Sequence, residues 1–279
     1  MMRFRLITMC ALVGMAVTIF GGCATRANHR SSSVVNYLYP DGRAVADTPQ
    51  VPRLTLPIKV GVAFVPDTTT TPLALTEKNK ADLLTAVAGH FKQYDFVKAI
   101  EVLPSAYLTP KGGFANLDQL RTMFDVDVVA LVSYDQTQFT DEGLASITYW
   151  TVIGAYVIPG EKNDTHTMVD AAVYDVASRK LLFRAPGVSH IKSKATPVNL
   201  SEQLRHDSLA GFTDASTTLI TNLDEQLARF QERVKASPQD FQVVRRAGST
   251  GGGSVDALLL CLALGVGGVR LWTRGRTGN

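Results

Sequence analysis

Residues Ile58–Val65 read IKVGVAFV and lie between two prolines, Pro57 and Pro66. The run is almost wholly apolar and rich in β-branched side chains, the pattern of a strand that is buried on both faces. Strands of this kind are typical of sheets that helices cover on both sides. The run therefore predicts a central strand, and the chain around it predicts how that strand is covered.

The segments after this strand alternate between helical and strand-like patterns. Thr76 can cap a first helix, and Val97–Leu103 forms a second apolar strand. Asn116 with Gln119 resembles a capping box at the start of another helix, which leads to a third strand at Val126–Tyr134. The predicted helical faces are Leu83, Leu84, Val87, Ala88 and Phe91, then Leu117, Leu120 and Phe124. This strand–helix–strand–helix–strand order predicts a sheet covered by helices.

Beyond residue 140 the pattern becomes that of antiparallel hairpins. Ser146–Ile158 is aromatic and β-branched, and a turn at Pro159–Asp164 separates it from a strand at Thr165–Tyr174. Asp175–Arg179 predicts a tight turn, from which Lys180–Arg184 returns as another strand.

A long helix is predicted to end the folded region. Asn199, with Glu202 three residues on, begins it, and Ser237-Pro238 stops it after about Lys235. Its apolar stripe has spacings of three and four residues: Leu219, Leu223, Leu227, Phe230 and Val234. The expected fold class is therefore α/β (α+β): a mixed sheet with a strand–helix–strand–helix–strand first half, antiparallel hairpins and a long C-terminal helix.

The chain begins with the pattern of an export signal. Arg3 and Arg5 precede an apolar segment, Leu6–Phe20, and the small residues Gly21-Gly22 lead to Cys23. This segment resembles a bacterial lipoprotein signal. The resemblance implies cleavage by a signal peptidase and acylation of Cys23 by acyl transferases, which would anchor the protein in membrane lipid. Plain cleavage and an uncleaved anchor are the alternatives.

The polar, proline-broken sequence after Cys23 indicates a tether that leads away from the membrane. By the same resemblance, Ala24 implies delivery to the outer membrane. The predicted organisation is a signal peptide at 1–22, a polar tether at 23–57, a single periplasmic-type α/β domain at 58–237, a linker at 238–253 and a C-terminal sorting or transmembrane tail at 254–279.

The C-terminal tail combines glycines, an apolar segment and a basic end. Ala257–Val269 has about thirteen residues, whereas a helix needs about 20 apolar residues to cross a bilayer. Its glycines weaken a helix further, which suits unwinding by a protease in the membrane. On physical grounds alone, a permanent tail anchor is an equally good alternative. A buried core helix is a third. The motif consists of Gly251, Gly252, Gly253 and Ser254, then Asp256, the apolar run, and Arg270, Arg274 and Arg276.

This ordered combination resembles the GlyGly-CTERM sorting signal, which is processed by rhombosortase, a rhomboid-like intramembrane serine protease. Together with Cys23, it makes the chain similar to the rhombotarget lipoprotein family. The resemblance implies that the chain is a substrate of the protease, with Gly251–Ser254 as its processing motif and the outer membrane or cell surface as its destination. The order of elements in the middle is similar to periplasmic lipoproteins of the curli-secretion and penicillin-binding-protein-activator type.

The charge distribution argues against nucleic acid as a partner. Lys and Arg number 28 against 25 Asp and Glu, a formal charge of +3. Five of the basic residues lie in the two end signals, so the folded part is close to neutral and has no basic stripe to contact phosphates. The three cysteines, Cys10, Cys23 and Cys261, also lie in those end segments. The domain therefore offers no disulfide and no thiolate metal site.

No catalytic, cofactor or metal site is expected from the spacing of polar residues. No two of the five histidines are at metal-ligand spacing in the sequence. Ser189 and His190 are neighbours on a strand, so they should point to opposite faces and form no dyad. Asp125 and Asp127 fit solvated loop acids better than a cation site. Three aromatic residues could line a groove for an unidentified protein partner, or they could belong to the core: Tyr149, Trp150 and Tyr156.

These observations predict an exported lipoprotein that is not an enzyme and that acts as a binding, envelope or secretion accessory factor. The alternative is a permanently membrane-anchored envelope scaffold whose C-terminal transmembrane helix is never cut. A hydrolase with an unrecognised site is the third hypothesis.

Overall fold

The structure, a computed structural model, describes residues 25–40, 50–67, 75–142 and 161–246. Three features expected from the sequence lie outside these residues: the export signal with Cys23, the strand at Ser146–Ile158, and the tail from Gly251 onward. No helix among the described residues is long and apolar enough to cross a membrane.

Within these residues the chain forms eight strands and four α-helices. Short 3-10 turns lie at Ser105–Tyr107 and Pro238–Asp240. The elements in chain order are β1 (Thr25–Ser31), α1 (Val34–Leu38), β2 (Arg53–Leu56), β3 (Ile58–Phe64), α2 (Glu77–Phe91), β4 (Val97–Val102), α3 (Gly113–Phe124), β5 (Val128–Glu142), β6 (Glu161–Asp175), β7 (Lys180–Ala195), α4 (Leu200–Ala236) and β8 (Gln242–Arg245).

Six strands form one mixed sheet in the order β4-β3-β5-β6-β7, with β1 as an additional partner of β5. The first half of β5 pairs in parallel with β3, and β4 is parallel to β3 on its other side. β6 and β7 continue the sheet as antiparallel hairpin strands. The predicted mixed sheet, its two helical crossovers and the long C-terminal helix are confirmed.

Helices cover both faces of the sheet and create two apolar cores. α2 and α4 pack on one face, and α1 and α3 pack on the other. The largest fully buried side chains on the first face include Val62, Phe64 and Leu219, whereas Leu103, Leu117 and Leu131 lie on the second. This two-sided burial explains why β3 and the start of β5 are apolar at nearly every position.

One of the two predicted helix caps is confirmed and the other is wrong. Thr76 caps α2, and its Oγ1 accepts a hydrogen bond from the Asn79 N–H at 3.2 Å. Asn116, by contrast, lies inside α3, which begins at Gly113. The buried Asn116 Oδ1 instead accepts hydrogen bonds from the Tyr37 hydroxyl at 2.7 Å and the Thr109 N–H at 2.9 Å. It joins α1, the loop before α3 and α3 itself.

The described part of the stretch expected to be a polar tether, 23–57, forms secondary structure instead. β1 runs antiparallel along the second half of β5, with Thr25 opposite Asp141 and Ser31 opposite Asp135. α1 then buries Tyr37 and Leu38 in the core. The sequence TRANHRS of β1 is polar because the strand lies at a sheet edge, where hydrogen bonds to β5 rather than apolar burial hold it.

The expected linker, 238–253, also contributes structure. β8 pairs in parallel with β2 to form a small second sheet, with Arg53 opposite Gln242 and Leu56 opposite Arg245. This pairing ties the segment after α4 to the segment before β3. Phe241 and Val243 pack against the core on the α2–α4 face.

The hairpin strands are longer than the sequence indicated. β5 continues to Glu142 and pairs with β6 along its whole length, from Val128 opposite Asp175 to Glu142 opposite Glu161. Glu161–Asp164, predicted as part of a turn, therefore belongs to β6. The tight turn before Lys180 is confirmed, and Arg179 in it has a φ of 59°.

α4 is held to the sheet in two different ways along its 37 residues. Its C-terminal part buries the predicted stripe from Leu219 to Val234. Its N-terminal part is attached by buried polar side chains: Gln136 Nε2 donates to the Ser208 carbonyl at 3.0 Å, and Gln138 Nε2 donates to the Leu204 carbonyl at 2.8 Å. Between them, Gly187 of β7 lets the helix backbone approach the strand closely.

Candidate functional site: an apolar cavity

The sheet face under α2 and α4 contains a cavity of about 450 Å³. A polar group connects the two helices. Asp224 of α4 bonds to His90 Nε2 at 2.8 Å and accepts a hydrogen bond from the Tyr94 hydroxyl, also at 2.8 Å. The cavity is bounded by both helices and by the sheet.

Every layer of this face contributes to the cavity wall. β3, β4, β5, β6 and β7 provide its floor, the two helices provide its sides, and the small β2–β8 sheet adds Leu54, Leu56 and Val243. Among the described residues that line it, only Gln231 and Lys235 carry polar side chains. The helical side of the wall includes Val87, Phe91, Leu223, Leu227, Phe230 and Val234.

The cavity is open to solvent in part. Ile58 and Val60 remain only half-buried, although they lie on β3, which has strands on both sides. Ile100 of β4 is half-buried as well. Apolar side chains in such positions would be fully buried if the helices closed over them. An accessible apolar cavity of this size falls within the range of small-ligand sites, roughly 300–1,000 Å³.

The chemistry of the wall is suited to binding apolar surface. Aliphatic and aromatic side chains gain about 25 cal/mol for each Å² of apolar ligand surface that they remove from water. The cavity is therefore suited to an apolar molecule, or to the apolar part of an amphipathic one.

Ionisable groups around the two cores have structural partners. Lys80 is buried, which lowers its pKa, but its contacts with Asp67 at 2.9 Å and Glu77 at 3.1 Å outweigh burial and leave the pKa raised. Burial raises the pKa of Asp170, against the effect of the Arg184 guanidinium, whose Nε donates to Oδ1 at 2.7 Å. Both pairs attach elements of the fold to each other.

The residues proposed from the sequence for lipidation and processing, Cys23 and Gly251–Ser254, lie outside the described residues. Ser189 is buried and His190 is exposed on the other face of β7, as predicted from their adjacency. They form no dyad.

The two loop acids are bound by basic groups of the fold. Asp127 accepts a hydrogen bond from the Lys59 backbone N–H at 2.8 Å and also pairs with Arg246. The Lys59 ammonium bonds to Asp125 and lowers its pKa. These contacts join the start of β5 to β3 and to the segment after β8.

One cluster was missed in the sequence. Asp164 and His166 of β6 lie beside His190 of β7, because His166 and His190 are directly opposite each other in the ladder. Sequence spacing could not bring them together, since the pairing depends on the register of two strands. The tight turn before Lys180 was predicted, but it did not give that register, because the pairing of β6 with β7 shifts between Val173 and Tyr174.

Comparisons with known proteins give little further information. No protein-family model matches the chain, and no relative was found among curated proteins. Two solved structures of PelC dodecamers from Paraburkholderia phytofirmans, one of them a single-substitution variant, are similar to it at 13% sequence identity. Each covers 71% of this chain and 96% of its own, with TM-scores of 0.30 for the variant and 0.28 for the other. Similarity at this level carries no argument about the function or assembly of this chain.

Proposed function

We propose that this chain is an exported, lipid-anchored protein of the cell envelope that acts by binding, and that its cavity accommodates an acyl chain of a lipid. The observation that carries the proposal is the accessible cavity of about 450 Å³, whose wall is almost wholly apolar. In this role the protein is a non-enzymatic envelope or secretion accessory factor.

The sequence supports the location that such a ligand requires. The basic and apolar residues before Cys23 favour export and acylation, and the segment after Gly251–Ser254 favours contact with a rhomboid-like protease. An acyl chain is abundant where such a protein resides. The mature domain would meet membrane lipids and a protein partner rather than nucleic acid.

Binding to the cavity can be tested with a fluorescent fatty acid, 11-(dansylamino)undecanoic acid, and the full-length protein in a mild detergent. We expect dansyl fluorescence to rise on binding, and Val60→Trp to weaken binding at least about tenfold, or 1.4 kcal/mol, by filling the cavity. Ile100→Trp should act in the same way from the neighbouring strand. Val35→Trp is the matched control, because Val35 is 64% exposed on α1 and lies outside the cavity.

Two results would contradict the acyl-chain proposal. One is the absence of a saturable fluorescence change with the wild-type protein. The other is a set of affinities in which the two cavity variants, folded as judged by circular dichroism, bind as well as Val35→Trp.

The ends of the chain need a separate measurement, which is intact mass with peptide mapping of protein from its native membranes. An acylated Cys23 and a C-terminus near Gly253 would support the sorting-substrate proposal. An acylated Cys23 with Asn279 retained would favour the permanently anchored scaffold instead. An unmodified N-terminus beyond Cys23 would overturn the lipoprotein proposal.

A further inference from the structure

Three side chains with metal-binding chemistry meet on the exposed face of the hairpin strands. Asp164 and His166 are two residues apart on β6 and therefore point to the same face. His190 of β7 is directly opposite His166. One ligand atom from each of the three residues lies within 4.8 Å of the other two.

The cluster is arranged around one carboxylate oxygen. His166 Nε2 lies 3.1 Å from Asp164 Oδ1, and His190 Nε2 bonds to the same oxygen. The two imidazole rings are stacked, with their centroids 4.0 Å apart and their planes 18° apart. Both Nε2 atoms thus lie next to one carboxylate oxygen, which brings three ligand atoms close enough together to reach one ion.

The donor set selects the class of ion. Imidazole nitrogens suit zinc, copper, nickel and iron, whereas calcium and magnesium prefer sites made wholly of oxygen. Tetrahedral metal–ligand bonds of about 2.0–2.2 Å place the ligand atoms about 3.3–3.6 Å from one another, so the three side chains must adjust to admit an ion. Small rotations can make this adjustment, because the side chains are 38% (Asp164), 52% (His166) and 42% (His190) exposed.

The surroundings leave room for further ligands. The opposite face of these strands is covered by α4, but this face carries exposed apolar residues, Met168 and Val188, beside the histidines. Three protein ligands leave at least one coordination position of a tetrahedral ion open to water or to a partner's side chain.

We propose that Asp164, His166 and His190 form a binding site for a divalent transition-metal ion of the Zn²⁺ type, which connects β6 to β7. The site is independent of the apolar cavity, which lies on the other face of the sheet.

The test is a titration of the full-length, untagged protein in detergent with ZnCl₂, followed by calorimetry. We expect one Zn²⁺ per chain. His166→Gln, His190→Gln and Asp164→Asn should each weaken binding at least about tenfold, the lower end of the loss seen when a contact that supports a metal site is removed.

His29→Gln is the matched control. His29 lies on the same row of the sheet, opposite Thr137 of β5, which is in turn opposite His166. Its Nε2 also bonds to a carboxylate, Asp135, at 3.0 Å. It therefore shares the histidine–aspartate chemistry but not the cluster, and its replacement should leave Zn²⁺ affinity unchanged.

A second readout keeps the proposal testable if a variant folds poorly. Because the ion binds the folded state, Zn²⁺ should raise the urea midpoint of the wild-type protein, and this increase should disappear in His190→Gln. Wild-type affinity weaker than millimolar would overturn the proposal. So would equal losses in His29→Gln and in the three cluster variants, because they would show dispersed histidine binding.

Discussion

Gly187→Ala should destabilise the protein strongly, because α4 crosses β7 at this residue. A Cβ atom on Gly187 would lie 2.0 Å from the Ala215 carbonyl oxygen and 2.5 Å from the Leu219 nitrogen. Real Cβ atoms stay at least 3.0 Å from such neighbours, so helix and strand must separate by about 1 Å. The atoms that collide belong to a helix backbone and cannot rotate away. We therefore expect a loss of about 3 kcal/mol, at the upper end of the usual cost of overpacking.

Urea unfolding followed by circular dichroism measures this loss as a change in the free energy of unfolding. Gly89→Ala is the control, since Gly89 is exposed in α2 and an added Cβ meets nothing within 4 Å. That substitution should be neutral or stabilise the protein by up to about 1 kcal/mol, because alanine favours a helix. A Gly187→Ala protein within about 0.5 kcal/mol of wild type would refute the close approach of α4 to β7.

Two further predictions concern buried polar groups. Asn116→Leu should cost about 1–3 kcal/mol in urea unfolding, because the Tyr37 hydroxyl and the Thr109 N–H lose their acceptor; the exposed Thr122→Ala on the same helix should change stability by less than about 0.5 kcal/mol. Burial raises the pKa of Tyr174 to about 12, so the stability that it contributes is complete below pH 10, its usual range, and is lost as pH rises towards 12. In a pH titration followed by tyrosinate absorbance, the Tyr174→Phe variant should show one tyrosine fewer titrating near pH 12 than the wild-type protein. A titration identical to that of the wild type would contradict this assignment.

The sequence was informative wherever apolar periodicity matched burial. The runs at Ile58–Val65 and Val126–Tyr134 became central strands, and the stripe from Leu219 to Val234 became the buried face of α4. These elements are specified by side chains that must leave water, so their patterns are visible in the chain itself. The fold class followed from their order.

Elements held by backbone pairing or polar contacts were less visible. β1 has almost no apolar residues, and it is a strand because β5 extends past the end of β3 and offers free hydrogen-bonding groups. Asn116 has the sequence signature of a cap, but it lies inside α3 and accepts a hydrogen bond from the Tyr37 hydroxyl. Neither partner is local in the sequence.

The two candidate sites were invisible for different reasons. The residues that line the cavity have the same apolar character as core residues, and only the incomplete closure of α2 and α4 distinguishes them. The Asp164–His166–His190 cluster depends on the register of β6 with β7. Single-sequence spacing contains neither the gap between helices nor that register.

If the proposed anchors at both ends are present, the placement of β1 and Arg246 limits how the domain can stand on a membrane. Thr25 pairs near the end of β5, whereas Arg246 contacts Asp127 just before its start, so the two lie roughly 46 Å apart for a strand of 15 residues. The eleven residues from Arg246 to Ala257 reach at most about 40 Å. If Cys23 is acylated and the tail is still in the membrane, the residues after Arg246 are too short to reach the bilayer while β5 stands perpendicular to it. The sheet must then tilt towards the bilayer. In that proposal, cutting the tail would free the domain to rotate away from the bilayer about the lipid on Cys23.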